Sequence, residues 1–293
     1  MSPHPIGRGF RSFLTVLASL FNAARDLKSR SPLIRRLVRV IARCGYVAKG
    51  VVFLIVGVLA SLAATGLGGN NVGTKEAITH LASQPYGGLM LTLLGLGLLA
   101  YAVWRLLQAL IDTEDLGYGV RALAARLGFL ISGGIYVSLA LYSYNLLRNV
   151  AAGDSSPSDR TAELMSHPGG VYLVFAVGVV FAGVGLRQMW RAIKRSYLDN
   201  WHMIEMSATQ RRLAEAATRW GLSARGVVFM IIGGFLCVAA VSTDPSEAQG
   251  LGGALNVLAR QPFGPWLLGA VSLGLIAYAI YCFVNARFRD VSP

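Results

Sequence analysis

Charge is scarce in this 293-residue chain, with Asp, Glu, Lys and Arg together making up only 14% of it. A soluble domain of this size would need more to cover its surface, so a water-soluble fold is excluded. The three cysteines, Cys44, Cys237 and Cys282, are too few and too scattered for a disulfide framework and are expected to be buried small apolar residues. Histidine is scarcer than a metal centre needs: His80 and His167 have no third ligand at a useful spacing. His202 lies among Trp201 and Met203 in a basic segment that reads as a surface amphipathic helix. No Gly-x-Ser-x-Gly, phosphate loop, His-Glu-x-x-His or paired intramembrane carboxylates occurs, so the expectation is no enzyme, no catalytic residue and no cofactor. An ionisable relay within the apolar segments is also missing, which disfavours a pump or ion-coupled carrier.

Apolar residues make up 54% of the chain and its mean hydropathy is +0.54. Six windows contain no Asp, Glu, Lys, Arg or His: 50–66, 86–104, 127–147, 169–186, 226–243 and 264–284. Each is close to the roughly 20 helical residues that span a hydrocarbon core about 30 Å thick. The first window can begin near Tyr46 if Lys49 snorkels to the interface. Helices are preferred to a barrel, because transmembrane strands alternate polar with apolar residues and these windows are apolar on every side.

Basic residues separate the two sides of the membrane. Of the Lys and Arg residues, only Lys75, Arg148, Arg160 and Arg260 fall between the paired windows on one side. The rest crowd the other side, which the positive-inside rule makes cytoplasmic, with both termini. The +13 net charge is therefore mainly a topology signal. It also predicts attraction to anionic lipid headgroups, and membrane lipids are the expected partners. Nucleic acid is not, since no aromatic-interleaved basic patch accompanies the charge.

The chain repeats itself. Ala42-Arg43-Cys44-Gly45-Tyr46 leads to Gly50-Val51-Val52-Phe53, and Thr218-Arg219-Trp220-Gly221-Leu222 leads to Gly226-Val227-Val228-Phe229. A weaker middle copy runs from Ala125-Arg126-Leu127-Gly128 to Gly133 and Tyr136. In each, an Arg stands two residues before the first Gly, a second Gly follows five later and an aromatic eight later. A second block recurs as Gln84-Pro85-Tyr86-Gly87, His167-Pro168-Gly169-Gly170 and Gln261-Pro262-Phe263-Gly264, with Gly-to-Pro spacings of 40, 40 and 41 residues. Such constancy implies triplication. Each copy holds two spans, so all three enter the membrane in the same direction.

These motifs resemble the bacterial membrane family known as domain of unknown function 1206, over about residues 40–288. The resemblance implies a bacterial inner-membrane protein of three tandem two-helix domains, with no activity to carry over. The expected fold is an all-α integral membrane protein, six transmembrane helices as three parallel two-helix repeats in a pseudo-threefold bundle. Its parts are a basic cytoplasmic arm (1–39), repeat 1 (40–111), repeat 2 (122–193), a basic cytoplasmic linker (194–213) and repeat 3 (214–288). The arm, with Arg8 and Arg11 before an apolar run from Phe13 to Phe21, reads as disordered or lying on the lipid surface rather than as a signal peptide.

Candidate residues follow from the repeats. Gly50, Gly57, Gly133, Gly226 and Gly233 place small faces for close helix contact. Arg43, Arg126 and Arg219 anchor the cytoplasmic ends. Gln84, His167 and Gln261 are candidates for a ring at the external mouth. Tyr101, Trp104 and Arg105, with Arg187 and Trp190, Tyr278 and Tyr281, read as an aromatic and basic belt at the cytoplasmic interface. The functional expectation is a noncatalytic structural, lipid-interacting or partner-docking role, the alternative a passive channel or small-solute permease with a pore on the pseudo-threefold axis.

Overall fold

The structure is a computed structural model that describes residues 32–69, 72–111, 119–148, 156–198 and 206–289. Most of the basic arm, His202 and part of the 194–213 linker lie outside the described residues. Nine α-helices make up the described chain: α1 (Pro32–Ala64), α2 (Thr74–Ala82), α3 (Gly87–Ile111), α4 (Val120–Leu147), α5 (Pro157–Met165), α6 (Gly170–Lys194), α7 (Ala208–Ser242), α8 (Leu251–Arg260) and α9 (Gly264–Phe288). Six of them, α1, α3, α4, α6, α7 and α9, are long and apolar enough to cross a membrane. The short helices α2, α5 and α8 join the two spans of each repeat, so they share one end of the bundle. The opposite end is the basic one.

Each short helix hands over to the next span through the same turn. The Gly87 N–H donates to the Gln84 carbonyl at 2.8 Å, Gly170 to His167 at 2.9 Å and Gly264 to Gln261 at 2.8 Å. Pro occupies the second position, and the third takes positive φ: 62° at Tyr86, 80° at Gly169 and 61° at Phe263. That pattern is a type II turn, whose third position suits glycine best. The repeat 2 departure at Gly169 is thus the unstrained form of the turn that Tyr86 and Phe263 make under strain. The next glycine is fixed for a different reason: a Cβ at Gly87, Gly170 or Gly264 would run into the main chain of the preceding short helix.

Packing follows an order that differs from sequence order. The largest interfaces pair α6 with α7, α9 with α1, and α3 with α4, and all three join different repeats. Within repeats, α7 packs on α9 and α1 on α3, whereas α4 and α6 form no comparable interface. The six spans therefore run α6–α7–α9–α1–α3–α4, a row that starts and ends in repeat 2. It curls, because side chains of α1 reach α4 and side chains of α7 reach α1. Equivalence among the repeats holds for the interfaces between them and fails within repeat 2, so these contacts do not establish the expected pseudo-threefold symmetry.

Small residues explain the tight contacts. A Cβ on Gly50 would stand 2.6 Å from Phe283 of α9, and one on Gly57 would stand 2.7 Å from Ile276 of the same helix. Gly226 and Gly233 lie equally close to Met189 and Gly178 of α6, and Gly133 faces Leu106 of α3. All five glycines thus meet a span of the neighbouring repeat, which lets backbones approach where bilayer solvent supplies no hydrophobic drive between helices.

Candidate functional site

In the basic half of the bundle three cations converge on a set of tyrosines. Lys49 of α1 does not snorkel: it is 3% exposed, and its Nζ donates to the Tyr101 hydroxyl of α3 at 2.9 Å. The same ammonium stands 4.7 Å from the Tyr101 ring centre, 5.4 Å from that of Tyr278 on α9 and 5.6 Å from that of Tyr136 on α4. One tyrosine from each repeat therefore encloses it. Arg105 Nε donates to the same Tyr101 hydroxyl at 2.9 Å, and its Nη1 donates to Gln108 Oε1 at 2.8 Å. Arg225 of α7 donates through Nη1 to the Tyr278 hydroxyl at 2.9 Å and to Gln188 Oε1 of α6 at 3.0 Å. Its guanidinium also lies over Phe53, Phe229 and Tyr278.

The repeat generates this cluster. Lys49 and Arg225 both precede the second glycine of their repeats, and Tyr101 and Tyr278 both stand sixteen residues after the turn proline. The aromatics eight after the first glycine, Phe53, Tyr136 and Phe229, all face one of these cations. Edge-on ring contacts tie the set together between repeats, Tyr101 to Tyr136 at 4.5 Å and Phe53 to Tyr278 at 4.9 Å.

No carboxylate among the described residues pairs with Lys49, Arg105 or Arg225; the ion pairs of Glu215 go to Arg195 and Arg211 instead. Burying an unpaired ion costs several kcal/mol even after relaxation. Cation–π contacts recover about 0.5–2 kcal/mol each. Arg225 Nε and Gln188 Nε2 are moreover buried with no hydrogen-bond partner. Among the described residues the cluster is rich in donors and free of carboxylates, which matches it chemically to an oxyanion.

Several sequence expectations change here. Tyr101, Trp104, Tyr278 and Tyr281 are buried in the bundle rather than arrayed as a belt, whereas Arg187 and Trp190 of that group are exposed. Polar groups do exist inside the spans, contrary to the reading that set Lys49 at the interface. The strongly exposed aromatics Tyr86, Tyr172, Phe263 and Trp266 stand instead toward the short-helix end. Gln84, His167 and Gln261 are exposed, and each lends its carbonyl to its own turn. The Gln84 side chain turns to His80 and that of His167 to the Glu163 carbonyl, and no hydrogen bond joins the three among the described residues. Arg43 donates to the Arg287 carbonyl at 3.4 Å, Arg126 is half-buried and Arg219 is exposed. Cys44 is exposed, Cys237 half-buried and Cys282 buried. Among the described residues no group of three or more His, Cys, Asp or Glu could hold a metal.

Sequence reasoning missed Lys49, Arg225, Gln188 and Tyr136 as a group, although the signal was present. Carrying the repeat alignment through the return helix would have matched Tyr101 with Tyr278 and Lys49 with Arg225.

Fold and site together define a multi-pass, all-helical membrane protein of three two-helix repeats that share a buried cation–tyrosine cluster. The family described as Domain of Unknown Function (DUF1206) matches the chain three times, over residues 44–112, 127–195 and 220–289, and the chain belongs to that family. It is similar to a Bacillus subtilis (strain 168) protein described as uncharacterized protein YxxB, 33% identical over 253 residues that cover 85% of this chain and 90% of that relative. No solved structure matches.

Proposed function

We propose that this is a noncatalytic plasma-membrane protein of a bacterium that binds lipids bearing an anionic headgroup, with its basic end and both termini on the cytoplasmic side. The observation that carries this reading is the acid-free setting of Lys49, which is buried, and of Arg105 and Arg225, which are half-buried, all three with tyrosines and amides as partners. A phosphate would supply the missing negative charge in a low-dielectric setting where it counts most. The bias of Lys and Arg toward one side supports the orientation, and it draws anionic headgroups to the side where the cluster lies. A pore on the bundle axis has less support, because Lys49 and the tyrosines of all three repeats fill the middle of the basic half.

The test is lipid retention. Protein extracted in neutral detergent from membranes of mixed composition, then analysed by native mass spectrometry, should carry phosphatidylglycerol or cardiolipin in preference to phosphatidylethanolamine. Lys49→Met and Arg225→Met should each lower that preference by about tenfold. Equal retention of neutral and anionic lipid by the wild-type protein would sink the reading.

A further inference from the structure

Three residue pairs build the interface inside a repeat. In repeat 1 a Cβ on Gly97 would stand 2.5 Å from Ala48, one on Gly45 would stand 2.6 Å from the Tyr101 main chain, and Lys49 bonds Tyr101. Repeat 3 reproduces all three with Ala224 and Gly274, Gly221 and Tyr278, Arg225 and Tyr278. Repeat 2 replaces them together, with Ile131 and Val180, Gly128 and Val184, Ser132 and Val184. Bulk stands where the other repeats have Ala on Gly, and the cation and its tyrosine are lost as a pair. The consequence is visible: Ile131, Val180 and Val184 are 47%, 53% and 39% exposed, and a Cβ on Gly128 would meet open space. A seam is left between α4 and α6, apolar on both walls.

The seam leads to the cation cluster. Its α4 wall supplies Tyr136, which faces Lys49, and its α6 wall supplies Gln188, 5% exposed and bonded to Arg225. Behind it are the two buried donors without an acceptor, Arg225 Nε and Gln188 Nε2. Arg126 on α4 and Arg191 on α6 stand at the basic end of the same two helices. Apolar length outside, unmet donors inside and positive charge at one end together fit a single occupant.

We propose that the α4–α6 seam admits one anionic glycerophospholipid side-on, with its acyl chains along Ile131 and Val180 and a phosphate oxygen accepting from Arg225 Nε and Gln188 Nε2. This rests on the lipid-binding reading above and adds where the lipid sits and what holds it. Repeats 1 and 3 are the closed forms of the same interface; repeat 2 is the open one.

A photo-crosslinking residue at position 131 or 180, and at the lipid-facing control Leu99 on α3, reports the occupant in vesicles of equimolar phosphatidylglycerol and phosphatidylcholine. Adducts at 131 and 180 should favour phosphatidylglycerol by about tenfold, with no such preference at 99. Gln188→Leu and Arg225→Met should abolish the preference. The pair Ser132→Lys with Val184→Tyr, which rebuilds the bond of the other repeats, should remove the adducts from a folded protein. Adducts without headgroup preference, adducts to the chain's own residues 1–31, or a preference abolished by millimolar inorganic phosphate would each overturn the proposal. If the Lys49 retention test succeeds while the seam shows no preference, only the location is wrong; if retention itself fails, both readings fall.

Discussion

Gly45, Gly221 and Gly128 occupy one position of the repeat and have three different fates on substitution. A Cβ at Gly45 or Gly221 collides with the main chain of Tyr101 or Tyr278, and neither backbone can yield without moving its cation bond. Gly45→Ala and Gly221→Ala should each cost about 1–3 kcal/mol. Gly128→Ala meets nothing and should be neutral or stabilising by up to about 1 kcal/mol, since alanine favours helix. Thermal unfolding of the three variants in one detergent checks this, and equal losses would contradict the open seam. Lys49→Met makes a second residue-scale prediction. It removes a buried charge while leaving Arg105 on the Tyr101 hydroxyl, so lipid-free protein should lose no stability. The rise in unfolding temperature on adding phosphatidylglycerol should shrink. A loss above about 3 kcal/mol without lipid would mark Lys49 as a structural partner instead. At this scale the sequence was partly legible: the repeated glycines and aromatics stood out by spacing. Lys49 did not, because an isolated lysine at the edge of an apolar window can equally reach water, and only its distance to three rings decides.

The short helices and their turns carry the element-scale consequences. Phe263 pays for its positive φ without burying its ring, so Phe263→Gly should leave stability unchanged or raise it by about 1 kcal/mol. The neighbouring Gly264→Ala should destabilise strongly, because its Cβ would enter the carbonyl of Ala259. Melting temperatures of the two variants separate strain at the third turn position from crowding at the fourth. Helix α5 opens with a capping box, in which Asp159 accepts from the Ser156 N–H at 2.7 Å and Ser156 Oγ accepts from the Asp159 N–H at 3.1 Å. Hydrogen bonding to the carboxyl from the Ser156 side chain, and then from the Ser156 N–H, holds Asp159 below its ordinary value. A lowered folded pKa gives stability that is complete above the unfolded value of about 3.9 and is lost as pH falls through the folded one. An NMR titration of the Asp159 carboxyl should show that lowered midpoint, and Ser156→Ala should return it toward the ordinary range. Hydropathy made the six spans legible because every window is uncharged. Their partners were not legible, since spans apolar on every side do not announce which face meets which neighbour.

For the whole molecule, the packing order matters more than the helix count. α1 finds its largest interface on α9, the last of the described helices, through Gly50 and Gly57. A chain ending after residue 243 should therefore retain the first five membrane-length helices yet leave that face of α1 bare, and should be degraded faster than the full protein. Pulse-chase measurement of both chains checks this; equal lifetimes would show that α1 is secured by α3 alone. Triplication was plain in the sequence, but the open seam was not. It follows from coordinated change at Ile131, Ser132, Val180 and Val184, which looks like ordinary divergence until the interface they abandon is known.

The α1–α9 pairing also sets a clock. Roughly 220 residues separate the end of α1 from the end of α9. At about 5–20 residues per second, synthesis of that stretch takes roughly 10–45 s. Throughout that interval Lys49 is already in the membrane without the ring of Tyr278. A nascent span carrying an incompletely housed ammonium is a natural substrate for membrane chaperones and quality-control proteases, so the cluster that marks the finished protein also marks, while it is missing, the unfinished one.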